Sequence, residues 1–265
     1  MVGAIVGDVV GSVHEYDATK TTDFVLFEPG SHFTDDSVLT VAIARAILDG
    51  GDYMEAVVEL GRRYPDADYG GAFRQWLVSE NHEPYGSWGN GSAMRVSPVG
   101  WAFDNEEEVL TEARRTAEIS HNHPEGIKGA QAVALAILLA RTSRDKHVIR
   151  KELEDRFGYD LHRHVEEVRP HYRFHVSCQR SVPEAIIAFL DSSNFEEAVR
   201  LAVSLGGDAD TLACITGAIA EAYYGQVPPD IANHALELLT PELREIAETF
   251  SRRFCTAPSQ PTRPR

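Results

Sequence analysis

Apolar residues recur three and four positions apart along most of this chain, in 37 to 48, 106 to 119, 127 to 141, 184 to 190, 195 to 205, 211 to 223 and 242 to 254. That period gathers them on one side of a helix, so each stretch predicts an α-helix with a buried face. Strand-like alternation is scarce. Only "HYRFHVSC", around residue 175, alternates for a few positions, and no second strand offers itself as a partner. An all-α fold is expected. Helices should end where Gly, Pro, Asn and Asp cluster, at "DGGD" (49 to 52), "PYGSWGNGS" (84 to 92) and "YGQVPPD" (224 to 230). No low-complexity linker, charge run or fixed-period repeat divides the chain, so residues 1–255 are expected to form a single domain, followed by a disordered Pro-rich tail over 256–265.

Composition narrows the setting. With 265 residues, 43% of them hydrophobic, the chain can bury a substantial core. The longest apolar run, "GAQAVALAILLA" from Gly129 to Ala140, is too short to cross a bilayer and suits a core helix, so no membrane association is expected. Charge arrives early, at Asp8, Glu15 and Asp17, which argues against a secretory leader. A formal charge of −16 repels phosphate backbones, and no basic cluster offsets it, so nucleic-acid binding is not expected. Cys178, Cys214 and Cys255 fit neither a zinc pattern nor a disulfide framework, and are expected to be inert buried thiols in a reducing cytoplasm. The stretch "WAF" (101 to 103), with Tyr223 and Tyr224, is expected to be core, in a monomer.

The chemistry concentrates at two helix starts. In "LGGDADTLACITGAIAEAYYG", residues 205 to 225, Asp208, Asp210 and Thr211 precede a helical apolar stripe. One Asp suffices to cap a helix, which leaves the second unexplained. In "FTDDSVLTVAIARAIL", Thr34, Asp35 and Asp36 repeat the arrangement. If the two starts meet, four carboxylates and two hydroxyls converge, and their repulsion calls for a cation. Six hard oxygen ligands favour Mg²⁺, Mn²⁺ or Ca²⁺ over zinc and are numerous enough for two ions. Capping and metal ligation both remain open for these residues.

Three other stretches bear on the site. Gly3, Gly7 and Gly11, four apart in "GAIVGDVVGSVHEY", let another helix approach closely, and Glu15 emerges where that first helix should end. An acid there can be an exposed surface residue or handle a proton beside metals. In "GNGSAMRVSPVGW", Gly89, Asn90, Gly91 and Ser92 form either a turn with a cap or a backbone cradle for an anion such as pyrophosphate. His121 and His123 precede Pro124, which opens a helix, and are expected to be neutral hydrogen-bonding residues.

Taken together, these stretches resemble the ADP-ribosylglycohydrolase superfamily, which includes the dinitrogen reductase-activating glycohydrolases and the arginine- and serine-directed ADP-ribosylhydrolases, over nearly the whole chain. The resemblance implies a compact, orthogonal multi-helix domain with two Mg²⁺ or Mn²⁺ ions. Their ligands would be Thr34, Asp35 and Asp36 of a Thr-Asp-Asp motif and Asp208, Asp210 and Thr211 of an Asp-x-Asp-Thr motif. It also implies that Asn90, Gly91, Ser92 and Met94 line an ADP-ribose cleft, that His121 contacts substrate, and that Glu15 is the flap glutamate. Eighteen residues separate Glu15 from Thr34, fewer than a long gating loop needs.

The implied reaction cleaves the glycosidic bond between ribose C1″ and a modified side chain, arginine slightly ahead of serine, with Glu15, Asp35 and Asp36 as candidates for acid/base and charge-stabilising work. Other classes stay open: an ADP-ribose-binding module without turnover, a hydrolase of a small conjugate such as O-acetyl-ADP-ribose, and dimetal phosphoester hydrolysis.

Overall fold

The computed structural model describes residues 1–255, so the Pro-rich stretch 256–265 lies outside the described residues. Among them no strand forms; one antiparallel bridge pairs Gly89 with Ser177, which gives the brief alternation near residue 175 its only partner. The chain is all-α, as the periodicity predicts.

The first helix, α1 (Val2–Gly11), runs into a 3-10 turn at Ser12–His14. After an irregular segment come α2 (Asp35–Asp49), α3 (Tyr53–Arg63) and α4 (Gly71–Val78). Two short helices follow, α5 (Gly91–Met94) and α6 (Ser97–Ala102), then α7 (Glu106–Glu118), the long α8 (Pro124–Thr142), α9 (Lys146–Phe157) and the single turn α10 (Val165–Val168). The last third holds α11 (Cys178–Asp191), α12 (Phe195–Ser204), α13 (Ala209–Tyr224), α14 (Pro229–Glu237) and α15 (Pro241–Phe254).

Every stretch with strong helical periodicity is a helix here. Among those that the pattern passed over, α9 is weakly striped and buries only Ile149 and Leu153 among its many charged residues. Helix α14 starts inside "YGQVPPD", because Pro229 suits a first turn, where no N–H is needed. The apolar run at 129 to 140 lies inside α8 and is buried almost throughout, as a central core helix must be. Trp101 is buried and Phe103 packs against the same continuous core.

Helices α1 and α13 meet backbone to backbone. A Cβ on Gly3 would stand 2.2 Å from the Gly217 carbonyl oxygen, one on Gly7 2.0 Å from that of Ala213, and one on Gly11 2.4 Å from the Asp210 Cα. The pairing runs in opposite directions along the two helices, so they are antiparallel. Three glycines cost α1 about 1 kcal/mol each in helix propensity relative to alanine. Ile5, Val6, Val9 and Val10 are fully buried on the same ten-residue helix, and each contributes about 1.5–3 kcal/mol. Burial wins, and the glycines set the distance.

Gly7→Ala is accordingly expected to destabilise the protein by about 3 kcal/mol or more in urea unfolding, because the obstructing atoms are backbone and cannot rotate away. Gly51→Ala, where a Cβ would meet nothing within 4 Å, should change stability by less than about 0.5 kcal/mol. Equal losses in the two variants would contradict this account of the α1–α13 contact.

Candidate functional site

The close approach of α1 to α13 delivers Asp8 to the start of α2. Asp8 is fully buried and accepts three hydrogen bonds from that helix start: Thr34 N–H to Oδ2 at 3.0 Å, Ser37 N–H to Oδ2 at 3.0 Å, and the Thr34 hydroxyl to Oδ1 at 2.6 Å. A carboxylate on one helix thus satisfies the orphan N–H groups of another. Thr34 is also the N-cap of α2, accepting from Asp36 N–H at 3.4 Å. The sequence pattern pointed to Thr34 but not to Asp8, which sits unremarkably between two of the packing glycines.

The second motif arrives on a left-handed turn. Gly206 and Gly207 have φ of +68° and +84°, values that strain any residue with a Cβ. They lead into Asp208, the N-cap residue of α13, whose side chain makes no capping bond and instead accepts from Asn90 Nδ2 at 2.6 Å. Asp210 accepts the N–H of its neighbour Thr211 at 2.8 Å, while the Thr211 hydroxyl donates to Asp36 Oδ2 at 3.0 Å. Residues 175 positions apart are therefore in direct contact, and the two helix starts do meet. The surplus aspartate is not a cap.

Two groups of carboxylate oxygens result, each lying within 4.8 Å of one another: Asp8, Asp36 and Asp210, and Glu15, Asp208 and Asp210. Asp210 belongs to both. Burial, then repulsion from Asp8 and its other acidic neighbours, pushes the Asp36 carboxyl well above the usual carboxylate range. Asp35 is raised by burial and by Asp8, and Asp210 by burial, Asp208 and Asp36. One Asp36 oxygen, Oδ1, is buried with no hydrogen-bond partner among the described residues. An orphaned carboxylate oxygen among repelling acids fits a divalent cation. The donors are all hard oxygens, so Mg²⁺, Mn²⁺ or Ca²⁺ fits better than a thiophilic metal.

These acids, Asp8 excepted, floor a cleft of about 500 Å³. Glu15, Asp35, Asp36, Asn90, Gly91, Met94, His121, Asp208, Asp210 and Thr211 all line it, whereas Thr34 and Ser92 do not. The Ser92 hydroxyl is buried, with the Gly126 carbonyl at 2.7 Å and the Gly89 carbonyl at 3.3 Å as its acceptors, so it braces the loop from behind. Of the proposed cradle, the Gly89 and Asn90 N–H groups are spent on Ser87 Oγ and the Val176 carbonyl. His121 is buried at the cleft wall, and His123 instead caps α8 by accepting from Glu125 N–H at 3.1 Å. Tyr85 and Phe174, which periodicity could not place, add aromatic walls. A larger cavity of about 920 Å³ lies beside α9, α10 and α12. Three of its acids have partners, Asp191 with His164, Glu196 with Arg200, and Glu197 with Ser193, and among the described residues the clustered carboxylate oxygens belong to the smaller cleft.

Glu15 closes the 3-10 turn after α1 and is half-buried at the cleft. Burial, then the nearby Asp208, pushes its carboxyl up to about 7. The segment that follows is tied down. Lys20 Nζ donates to the Arg169 and Tyr172 carbonyls at 3.1 and 3.0 Å and to that of Leu205. Arg169 and Leu205 are the C-terminal caps of α10 and α12, where a cation also suits the helix dipoles. Arg200 holds the Thr22 and Phe24 carbonyls at 3.1 and 2.7 Å. The short connection between Glu15 and Thr34 is thus anchored to the helices that deliver Asp208.

Comparison with known proteins gives a consistent picture. A family model described as ADP-ribosylglycohydrolase matches residues 1–260. ADP-ribosylhydrolase ARH3 of Mus musculus is 28% identical, with 86% of this chain and 84% of the relative covered. ADP-ribosylarginine hydrolase Tri1 of Pseudomonas putida (strain GB-1) is 25% identical, with 87% and 71% covered. A solved structure titled as an ADP-ribosylglycohydrolase-related protein complex superposes with a TM-score of 0.69 at 26% identity, covering 95% of this chain and 96% of that one.

The raised carboxyls predict a cation-linked stability. Their native pKa values exceed the ordinary value of about 3.9, so the folded chain keeps protons that the unfolded chain has released. Their contribution without cation is therefore greatest below that value and is lost as pH rises through the raised native values. At pH 7 in chelator, Asp36→Asn should raise stability by about 1 kcal/mol. Mn²⁺ at a hundred times its Kd should stabilise wild type by about 2.7 kcal/mol and this variant far less. Thermal unfolding with EDTA and with Mn²⁺ checks both, and equal Mn²⁺ stabilisation of the two proteins would count against the site.

Proposed function

The chain belongs to the ADP-ribosylglycohydrolase family, and on that premise we propose that it is a divalent-metal-dependent hydrolase that removes ADP-ribose from modified protein side chains. The observation that carries this reading is the pair of carboxylate groups sharing Asp210 at the floor of a cleft walled by Asn90, Gly91, Met94 and His121. The relative named ADP-ribosylarginine hydrolase supports arginine as the first linkage to test, with serine next.

In this proposal Thr34, Asp35, Asp36, Asp208, Asp210 and Thr211 hold the metal. Asp8, whose oxygens already accept three hydrogen bonds, orients Thr34 and the α2 start behind them. Two Mg²⁺ or Mn²⁺ ions held by these residues would supply positive charge for binding ribose hydroxyls and would make water more acidic. Asn90, fixed by Asp208 and by Ser181 Oγ at 3.2 Å, presents the 90–94 loop to the ligand. Tyr85 and Phe174 offer faces on which an adenine can stack.

The bond that breaks joins C1″ to the side-chain nitrogen or oxygen, and the water oxygen takes its place. Negative charge from Asp35 and Asp36 stabilises the oxocarbenium-like transition state. In this proposal Glu15 holds a proton near neutral pH, passes it to the departing side chain and takes up the proton that the attacking water releases. A cytoplasmic monomer, with Cys178 and Cys214 as buried free thiols, completes the proposal.

Incubation with ADP-ribosyl-arginine and ADP-ribosyl-serine peptides, in Mg²⁺, in Mn²⁺ and after EDTA, should release free ADP-ribose only with metal, and faster from arginine. Glu15→Gln should lower kcat by about 100-fold while ADP-ribose binding persists. Wild-type kcat in Glu15→Gln would remove that residue from proton transfer. ADP-ribose bound without release from either peptide would favour a binding module or a different conjugate, and release of AMP would indicate phosphoester cleavage.

A further inference from the structure

Arg95 is the largest fully buried side chain in the protein, and it has no carboxylate partner among the described residues. It sits just beyond α5. Its NH2 donates to the Thr116 carbonyl at 2.8 Å and to Ser120 Oγ at 2.9 Å, while Nε and NH1 are without a hydrogen-bond partner. A guanidinium buried this deeply is expensive, so its position calls for a reason beyond packing.

Ser120 links that cation to the cleft. Its Oγ lies 2.8 Å from His121 Nδ1, and no other protein acceptor is within reach of that hydroxyl among the described residues. A guanidinium can only donate, so Ser120 Oγ accepts from Arg95. If His121 Nδ1 also carried a hydrogen, the fully buried Ser120 hydroxyl proton would have no acceptor, which costs free energy. The arrangement that satisfies every group runs from Arg95 to Ser120 to Nδ1, leaving the imidazole proton on Nε2. That nitrogen faces the 89–91 loop, 3.0 Å from where a Cβ on Gly91 would stand and 3.4 Å from one on Gly89.

We propose that Arg95 and Ser120 are positioning residues that lock His121 in its Nε2–H tautomer, so that it presents an obligate hydrogen-bond donor to an acceptor oxygen of the ligand. The inference deepens the reading of the cleft as an ADP-ribose site and rests on it for the ligand's identity. Burial and the Arg95 charge also hold the His121 imidazole well below its ordinary pKa, which keeps the ring neutral. In this state Nε2 has no free lone pair, so His121 neither ligates metal nor serves as a general base. The glycines at 89 and 91 leave room for the ring that side chains would occupy.

Long-range ¹H–¹⁵N correlation spectra of the ligand-free protein test this directly. Wild-type His121 should show a single Nε2–H tautomer. Ser120→Ala should populate Nδ1–H, Arg95→Met should shift the ratio in the same direction, and Ser120→Thr should restore the wild-type spectrum. By calorimetry, Ser120→Ala should weaken ADP-ribose about tenfold, with circular dichroism confirming a retained fold. A wild-type proton on Nδ1, or an unchanged tautomer in Ser120→Ala, would overturn the inference. Absence of any ADP-ribose affinity in wild type would overturn the reading of the cleft, while the spectra would still decide the tautomer.

Discussion

The contact on which the rest of the structure depends is the backbone-to-backbone approach of α1 and α13. Glycines at positions 3, 7, 11 and 217 remove the side chains that would hold these helices apart. Only at that distance does Asp8 reach both the start of α2 and the neighbourhood of Asp210. The packing glycines and the site residue Asp8 share one short helix. A change that relaxes the packing therefore moves the chemistry with it.

The same construction has a cost that runs against stability. Burying Asp8, Asp36, Asp208 and Asp210 together is unfavourable through both desolvation and repulsion, and the hydrogen bonds from Thr34, Ser37, Asn90 and Thr211 offset part of it. Asp36 retains an oxygen with nothing to accept from. A fold selected only for stability would replace these acids with apolar residues of similar volume. Their convergence fits a site that can hold a divalent cation.

Around this floor the cleft is held by long-range ties. The bridge between Gly89 and Ser177, with Asn90 N–H donating to the Val176 carbonyl at 2.8 Å, joins the 89–94 loop to the segment before α11. Lys20 and Arg200 fasten the connection behind Glu15 to the ends of α10 and α12. These ties explain how so short a connection can place an acid at the cleft: Glu15 is set by anchors on both sides.

The sequence by itself determined the all-α class, because helical periodicity is a local property of the apolar positions. It also marked the two acidic helix starts, because a second aspartate exceeds what one cap needs. It read the glycines at 3, 7 and 11 as a close-approach surface without naming the partner. What only tertiary structure decided was which surfaces meet. No local pattern in the sequence marks Asp8, Lys20, Arg200 or Ser120 as part of the site or its supports. Each acquires its role from a partner far along the chain, such as Thr34 for Asp8 or Leu205 for Lys20. Periodicity reports that a face is buried but carries no record of what it is buried against. Hydrogen bonds between distant side chains depend on that second fact.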